Sequence, residues 1–386
     1  MSAILVRLSR ALAAGAMSVA SMIATPSALA GVRAGSAAGV VAPAASIAPA
    51  EWAAYTRKFL EPSGRIVDVE RNRISHSEGQ GYGLILAVKA GDRAAFDRIL
   101  AFTVAHMRRH DDPLVSWIYD PRRTPRVADG NNATDGDILI AYALVLAAAR
   151  WEEPRYLARA EPMIRAIGRS LLVRHDGFVV VRPALAGFDR SEQADGPVAN
   201  LSYYVYGAFL VFETVDPRWP WREAWRSGLL LTNAVQTAAG RIAPVPDWVS
   251  LARERFLAPA EGFPKASGYE AVRIPLYMAL GGRVPPDYFA AFDLAWSDTG
   301  GPSAVDLAGA VRPQPMREPG YRAIAALAAC AARGAPIPPE IASFRPTTYF
   351  ASSLHLLALT AVRETYPDCL RGTVDAAAAS AEAAPG

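Results

Sequence analysis

Asp129-Gly130-Asn131-Asn132-Ala133-Thr134-Asp135-Gly136-Asp137 runs directly into Ile138-Leu139-Ile140-Ala141-Tyr142-Ala143-Leu144-Val145-Leu146-Ala147-Ala148-Ala149-Arg150-Trp151. The second half of this stretch is helix-forming and apolar on nearly every side. A surface helix carries an apolar stripe and a polar face, whereas a helix that is apolar all round has to be enclosed by other elements. The spacing predicts a helix over 135–151 that is buried on most sides. Seven further segments show long apolar runs or helical spacing: 82–90, 155–173, 201–212, 221–237, 269–280, 321–332 and 352–363. The turn signal His175-Asp176-Gly177 followed by β-branched Phe178–Val181 predicts one minor strand. No self-similar period of 34 or 40–47 residues marks a solenoid. Pattern alone therefore gives a single large all-α domain.

Composition agrees and excludes other classes. The chain has 386 residues, is 52% hydrophobic and 20% charged, and carries a formal net charge of +3. That is too apolar for a disordered chain. It lacks the strongly basic balance of a nucleic-acid binder, and no nucleic-acid partner is expected. Two cysteines do not make a disulfide scaffold or a Cys-rich zinc module. No metal or organic cofactor is implied.

The ends read differently from the middle. The first 30 residues contain no Asp, Glu or Lys; Arg7 and Arg10 precede an apolar, small-residue run, and Ala28-Leu29-Ala30 offers an A-x-A site. This is the layout of a signal peptide, and it predicts export to the periplasm or beyond. Residues 31–50 read as a flexible leader and 373–386 as a disordered tail, leaving a folded domain over 51–372. In an oxidising compartment Cys330 and Cys369 could pair, or stand as two separate thiols.

Three segments combine acids with Gly, Asn and aromatic residues beyond what core packing asks for. In 129–137, Thr134 is a plausible N-cap with Asp135 and Asp137 at the positive end of the helix dipole. Yet Gly136 is a poor helix former in a first turn, and the acids and asparagines also suit a polyhydroxylated ligand. In Ser75-His76-Ser77-Glu78-Gly79-Gln80-Gly81-Tyr82-Gly83, Ser75 and Glu78 have the spacing of a capping box. That accounts for Glu78 but not for three alternating glycines, which let another backbone or a ligand approach closely. In Gly268-Tyr269-Glu270-Ala271-Val272-Arg273, Glu270 and Arg273 could be a surface pair three residues apart. Other chemistries find little support. His106 and His110 lack the Glu of H-E-x-x-H, no G-x-S-x-G occurs, and Asp111-Asp112 is not D-D-x-x-D. Catalysis here would be acid–base work by carboxylates.

Together the segments resemble glycoside hydrolase family 8, most of all the endoglucanases encoded beside bacterial cellulose synthases. The resemblance runs from about Glu51 to at least Tyr277. It is carried by Ala133-Thr134-Asp135-Gly136-Asp137 with Ile140, Ala141 and Trp151, and by Ser77–Gly83. Asn200-Leu201-Ser202-Tyr203-Tyr204 and Pro246-Asp247-Trp248 support it. It implies an (α/α)6 barrel of six helical hairpins. Some 320 residues allow roughly 53 per hairpin, enough for two helices of ordinary length and their loops.

The resemblance also implies hydrolysis of β-1,4-glucan with inversion. One carboxylic acid protonates the leaving oxygen, and one carboxylate activates water on the opposite face, roughly 6.5–9.5 Å away. By position, Glu78 is the general acid and Asp135 grips and distorts the sugar. The base in the family's Tyr-Asp-Ala-x-Arg segment falls on Glu270, an acid one methylene longer. Either Glu270 or Asp135 could then serve as base. Thr134 and Asp137 are expected to support Asp135, and Arg273 to orient Glu270 or another carboxylate. Tyr82, Trp117, Tyr203, Tyr204 and Trp248 are expected at the sugar, since aromatic faces suit its apolar C–H surfaces. The implied protein is a monomeric, exported cellulase that trims glucan during cellulose synthesis and could associate with the synthase. Mixed-linkage glucan, xylan or chitosan as substrate, or glucan binding without turnover, are the alternatives.

Overall fold

A computed structural model describes residues 45–371, apart from 238–241, 282 and 298–299. The expected signal peptide, most of the leader and the expected tail lie outside the described residues. The described residues hold twelve α-helices. The first six are α1 (Pro49–Phe59), α2 (Ser77–Ala90), α3 (Arg93–His106), α4 (Thr134–Trp151), α5 (Pro154–Ser170) and α6 (Tyr206–Val215). The rest are α7 (Trp221–Thr237), α8 (Arg273–Ala279), α9 (Asp287–Ser297), α10 (Pro319–Arg333), α11 (Pro339–Ala342) and α12 (Tyr349–Thr365).

The even-numbered helices touch in chain order: α2 packs on α4, then α4 on α6, α6 on α8, α8 on α10 and α10 on α12. Helix α12 returns to α2 and closes the ring. The odd-numbered helices lie outside: α1 and α3 against α2, α5 against α4, α7 against α6, α9 and α11 against α10. Six inner and six outer helices make the (α/α)6 barrel. Composition decides which helix goes where. Helices α2, α4, α8 and α12 bury nearly every residue, as their continuous apolar sequences require. Helix α5 turns Tyr156, Leu157, Ala160, Ile164 and Ile167 inward and keeps Arg155, Arg159, Glu161 and Arg165 on its other face.

Close approach explains the alternating glycines: a Cβ at Gly79 would collide with Tyr349 Oη, and one at Gly83 would meet Ile66 Cγ1 at 2.6 Å. A Cβ at Gly81 would lie 2.6 Å from Leu139 Cβ, so α2 and α4 approach more closely than any side chain between them allows. At Gly136 a Cβ would meet Ser77 Cβ at 2.7 Å and the Glu78 amide nitrogen at 2.8 Å. This fixes a discriminating test. Helix propensity alone makes Gly136→Ala stabilising by about 1 kcal/mol. Packing makes it destabilising by about 1–3 kcal/mol, because the neighbour is the first turn of α2 rather than a flexible tip. We expect the loss, read as a lower urea midpoint at unchanged slope.

Short strands pin the loops at one end of the ring. Ser75–His76 pairs with Ile118–Tyr119, just before Glu78 and just after Trp117. Val198–Ala199 pairs with Val249–Ser250, beside Asn200 and Trp248. Ala266–Ser267 pairs within a three-stranded sheet immediately before Glu270. The expected strand Phe178–Val181 is present and pairs with Leu172–His175. Helix α5 therefore stops short of the expected Val173. Asp176 and Gly177 both take positive φ, which a tight hairpin turn demands.

Three further expectations are corrected. Packing against the domain extends to residues before 51: Ile47 is buried, and the Ser46 amide donates to Lys89 O at 2.9 Å. The helix expected from Tyr269 begins only at Arg273, because Tyr269–Val272 is a turn whose amides are partly held by a side chain described below. Residues 201–212 divide into a 3-10 turn (Leu201–Tyr203) and α6. Of the two readings left open for the cysteines, the structure has the bond: Cys330 in α10 is disulfide-linked to Cys369 in the last turn.

Candidate active site

Glu78 is the second residue of α2 and Asp135 the second residue of α4. These inner helices are neighbours, and the Ser77–Gly136 contact brings their first turns together. Both carboxylates therefore open at the same end of the ring, at positive helix termini that favour negative charge. Glu270 stands on the turn before α8, and Arg273 is the first residue of α8. The side chains converge on Arg273. Its Nη1 donates to Glu78 Oε1 and, at 3.0 Å, to Asp135 Oδ2; its Nη2 donates to Glu270 Oε2. One guanidinium thus holds three carboxylates, with Glu78 and Glu270 on its two arms.

Exposure divides the three acids. The Asp135 side chain is 4% exposed, Glu78 18% and Glu270 32%, while Arg273 is 2% exposed. Burial, reinforced by the charge of Glu78, pushes Asp135 up to about 7, against the opposing pull of Arg273. The Gly136 amide donates to Asp135 Oδ1 at 2.8 Å and fixes the carboxylate at the helix start.

Behind this layer stand residues that orient it. Tyr82 Oη donates to Glu78 Oε1 at 2.6 Å, and Tyr277 Oη lies 2.7 Å from Tyr82 Oη. Asn200 Nδ2 donates to Glu270 Oε2 at 2.8 Å, and Asn200 Oδ1 accepts from the Ser202 amide at 3.0 Å. Asp247 Oδ1 accepts the amides of Gly268 and Ala271 at 2.8 and 2.9 Å, clamping the turn that carries Glu270. Burial pushes Asp247 up to about 6.

The acids open into a cleft of about 870 Å3 whose walls include Trp117, Phe188, Tyr203, Trp248 and Tyr269. Phe188, Trp248 and Phe263 form a parallel stack, with Phe188–Trp248 centroids 5.4 Å apart and Trp248–Phe263 4.9 Å apart. Trp117 stacks on His76, and its indole N–H donates to Asp129 Oδ2 at 2.7 Å. Tyr203 lies under Arg273 and edge-on to Trp248. Tyr269 is 55% exposed beside Glu270. These flat faces around a charged centre can hold sugar rings while carboxylates act on the bond between two of them.

The structure brings Glu78, Asp135, Glu270, Arg273, Trp117, Tyr203 and Trp248 to one cleft. Four other expected site residues are not among its lining residues. Tyr82 is fully buried and reaches Glu78 from behind. Thr134 is not the N-cap; it is the first helical residue, and its Oγ1 donates to Arg182 O at 2.6 Å. Asp137 is fully buried, accepting from the Val115 amide and Asn132 Nδ2 at 2.8 Å each, and burial raises it to about 8. Tyr204 packs in the core and bonds Val179 O. The capping box expected from Ser75 is also absent, since His76 is the N-cap of α2.

Sequence reasoning assigned no role to Asn200, Asp247 or Tyr277. Asn200 and Asp247 stand in segments that carry the resemblance, each beside aromatic residues with a stronger signal for sugar binding. Tyr277 follows Arg273 by four residues, the spacing that puts two side chains on one helix face.

Comparison with known proteins agrees with this geometry. Residues 29–362 match the model of "Glycosyl hydrolases family 8". A probable endoglucanase of Novacetimonas hansenii is 36% identical over 289 residues, covering 73% of this chain and 82% of that protein. Endo-β-1,4-glucanase CMCax from Acetobacter xylinum superposes with a TM-score of 0.71 at 33% identity, over 82% of this chain and 97% of that one. Endoglucanase Cel10 from Klebsiella pneumoniae, a family 8 glycosyl hydrolase, gives a TM-score of 0.71 at 28% identity, over 81% and 99%. A match that spans most of the chain, with three carboxylates on one arginine at the mouth of an (α/α)6 ring, makes this chain a glycoside hydrolase of family 8.

Proposed function

We propose that this hydrolase is an exported endo-β-1,4-glucanase that works by inversion. The observation that carries the reading is the convergence of Glu78, Asp135 and Glu270 on Arg273 inside an open, aromatic-walled cleft. In this reading Glu78 protonates the leaving oxygen. Glu270, the most exposed of the three, takes a proton from the water that attacks the opposite face. Its Oε2 is tied to Arg273 and Asn200, leaving Oε1 for the water. Asp135, deepest at the cleft base, grips and distorts the sugar beside the bond. Asp247 holds the turn that carries Glu270. Trp117, Tyr203 and Trp248 bind the glucan. The endoglucanase names of similar proteins support the substrate, and the first 30 residues support export. The resemblance to glucanases encoded beside cellulose synthases supports a monomeric enzyme that trims glucan there, in functional association with the synthase.

One observation favours a second substrate. Asp68, Glu70, Asp129 and Glu318 line the cleft besides the three central acids, against Arg71 and Arg273. Such a wall attracts cationic chains, so a glucosamine polymer is the second reading.

Cellohexaose and chitosan hexamer, given to the purified chain with product anomers followed by NMR, decide between them. We expect shorter cello-oligosaccharides released as the α-anomer, with kcat/KM above that for chitosan. β-Anomeric products would overturn inversion. Intact cellohexaose beside cleaved chitosan would transfer the proposal to the second substrate.

A further inference from the structure

Glu78 Oε1 accepts two hydrogen bonds, from Arg273 Nη1 and from Tyr82 Oη at 2.6 Å. A carboxyl oxygen that already receives two donors has no lone pair left in a favourable direction for a proton of its own. The catalytic proton of Glu78 is thereby directed to Oε2. The direction of the second bond is itself fixed. Tyr82 donates its one phenol proton to Glu78 Oε1, so it takes its own incoming bond from Tyr277, 2.7 Å away. Tyr82, Tyr277 and Arg273 are each no more than 2% exposed, so water cannot substitute for a missing donor. Burial raises both phenols far above their ordinary range, which keeps them in the donating form. Chained hydroxyls in a low-dielectric interior also strengthen one another.

We propose that Tyr277 and Tyr82 form a polarised hydroxyl relay that positions the catalytic proton of Glu78 on Oε2, toward the glycosidic oxygen. The inference rests on the reading of Glu78 as general acid. Tyr82 and Tyr277 are positioning residues and do not touch the sugar. In the reaction the Oε2–H proton passes to the glycosidic oxygen as the C1–O bond breaks. The negative charge left on Glu78 is then held by the two donors already at Oε1.

The test uses Tyr82→Phe and Tyr277→Phe in the full chain, with cellohexaose and β-cellobiosyl fluoride as substrates. Fluoride leaves with little protonation, so it separates acid positioning from general damage. For Tyr82→Phe we expect kcat on cellohexaose to fall about 10- to 100-fold, the cost of one hydrogen bond to a charged group, with KM within twofold. The alkaline limb of the kcat/KM profile should move to higher pH, because a donor that favoured the ionised acid is gone. The loss on the fluoride should be clearly smaller. Tyr277→Phe keeps the direct bond and should show the same changes at reduced size. Equal losses on both substrates with an unmoved alkaline limb would mean a merely structural role and overturn the relay. A raised KM with unchanged kcat would return Tyr82 to the sugar and overturn it as well. A wild-type chain active on the fluoride but not on cellohexaose would sink the substrate reading, and the same comparison with chitosan hexamer in place of cellohexaose would then decide the relay.

Discussion

Glu78→Gln should leave a folded, glucan-binding protein that no longer cleaves cellohexaose. Gln keeps the carbonyl oxygen that accepts from Arg273 and Tyr82, so the local geometry survives. What it loses is the transferable proton. General acid catalysis is worth about 10²–10⁴-fold, and an unactivated sugar alkoxide is a poor leaving group, so kcat should fall near the upper end of that range. The Kd for cellohexaose should change by less than a few-fold, since Trp117, Tyr203 and Trp248 are untouched. Isothermal titration of the variant beside single-turnover kinetics checks both halves. A variant that retains more than a tenth of wild-type kcat would place the acid elsewhere. Partial recovery on β-cellobiosyl fluoride would confirm that leaving-group protonation was the step removed.

The inner ring of the fold is legible in the sequence and the outer ring is only partly so. Helices such as α4 and α12 are enclosed, so nothing but continuous apolar sequence can satisfy them, and that signal is strong. Helices α1, α3 and α9 lie on the outside, mix apolar and charged residues, and show no long apolar run; no expectation was set for them. The site divides in a similar way. Glu78 and Asp135 stand in motifs whose glycines have no reason in an isolated helix; Gly81 and Gly136 serve the contact between α2 and α4, and Gly79 and Gly83 make room for Tyr349 and Ile66, contacts that a linear pattern does not display. Tyr82 and Tyr204 were read as sugar platforms because both are aromatic residues near motif acids. Composition is silent on which face of a helix looks into a cleft, and here both rings point to the core. Arg273 was expected beside one carboxylate. Its bond to Glu78 joins residues 195 positions apart, and that convergence follows from closing the ring rather than from any local pattern.

Arg273→Met should cost more stability than any other single change at the site, and the cost should depend on pH. Met matches much of the packing volume but brings no charge, so three carboxylates lose their shared counter-ion. Removing one partner of a buried ion pair costs about 3–5 kcal/mol, because the other charge stays buried without compensation. Asp135 carries the pH dependence. In the wild type it stands at about 7, raised above its ordinary value of 3.8 by burial and by Glu78, with Arg273 pulling it down. A carboxyl raised on folding binds its proton more tightly in the folded state. Its contribution is therefore fully present below the unfolded value near 4 and is lost as pH rises toward 7. Without Arg273 the folded value rises further, so the loss continues above neutrality. We expect urea unfolding to show a modest deficit for the variant at pH 5, where protons can replace the missing cation, and a much larger one at pH 8. Arg273→Lys should fall between, since an ammonium restores charge but cannot fork between Glu78 and Glu270. A deficit that is the same at both pH values would mean that Arg273 acts through packing. The three acids would then not be a charge-coupled unit.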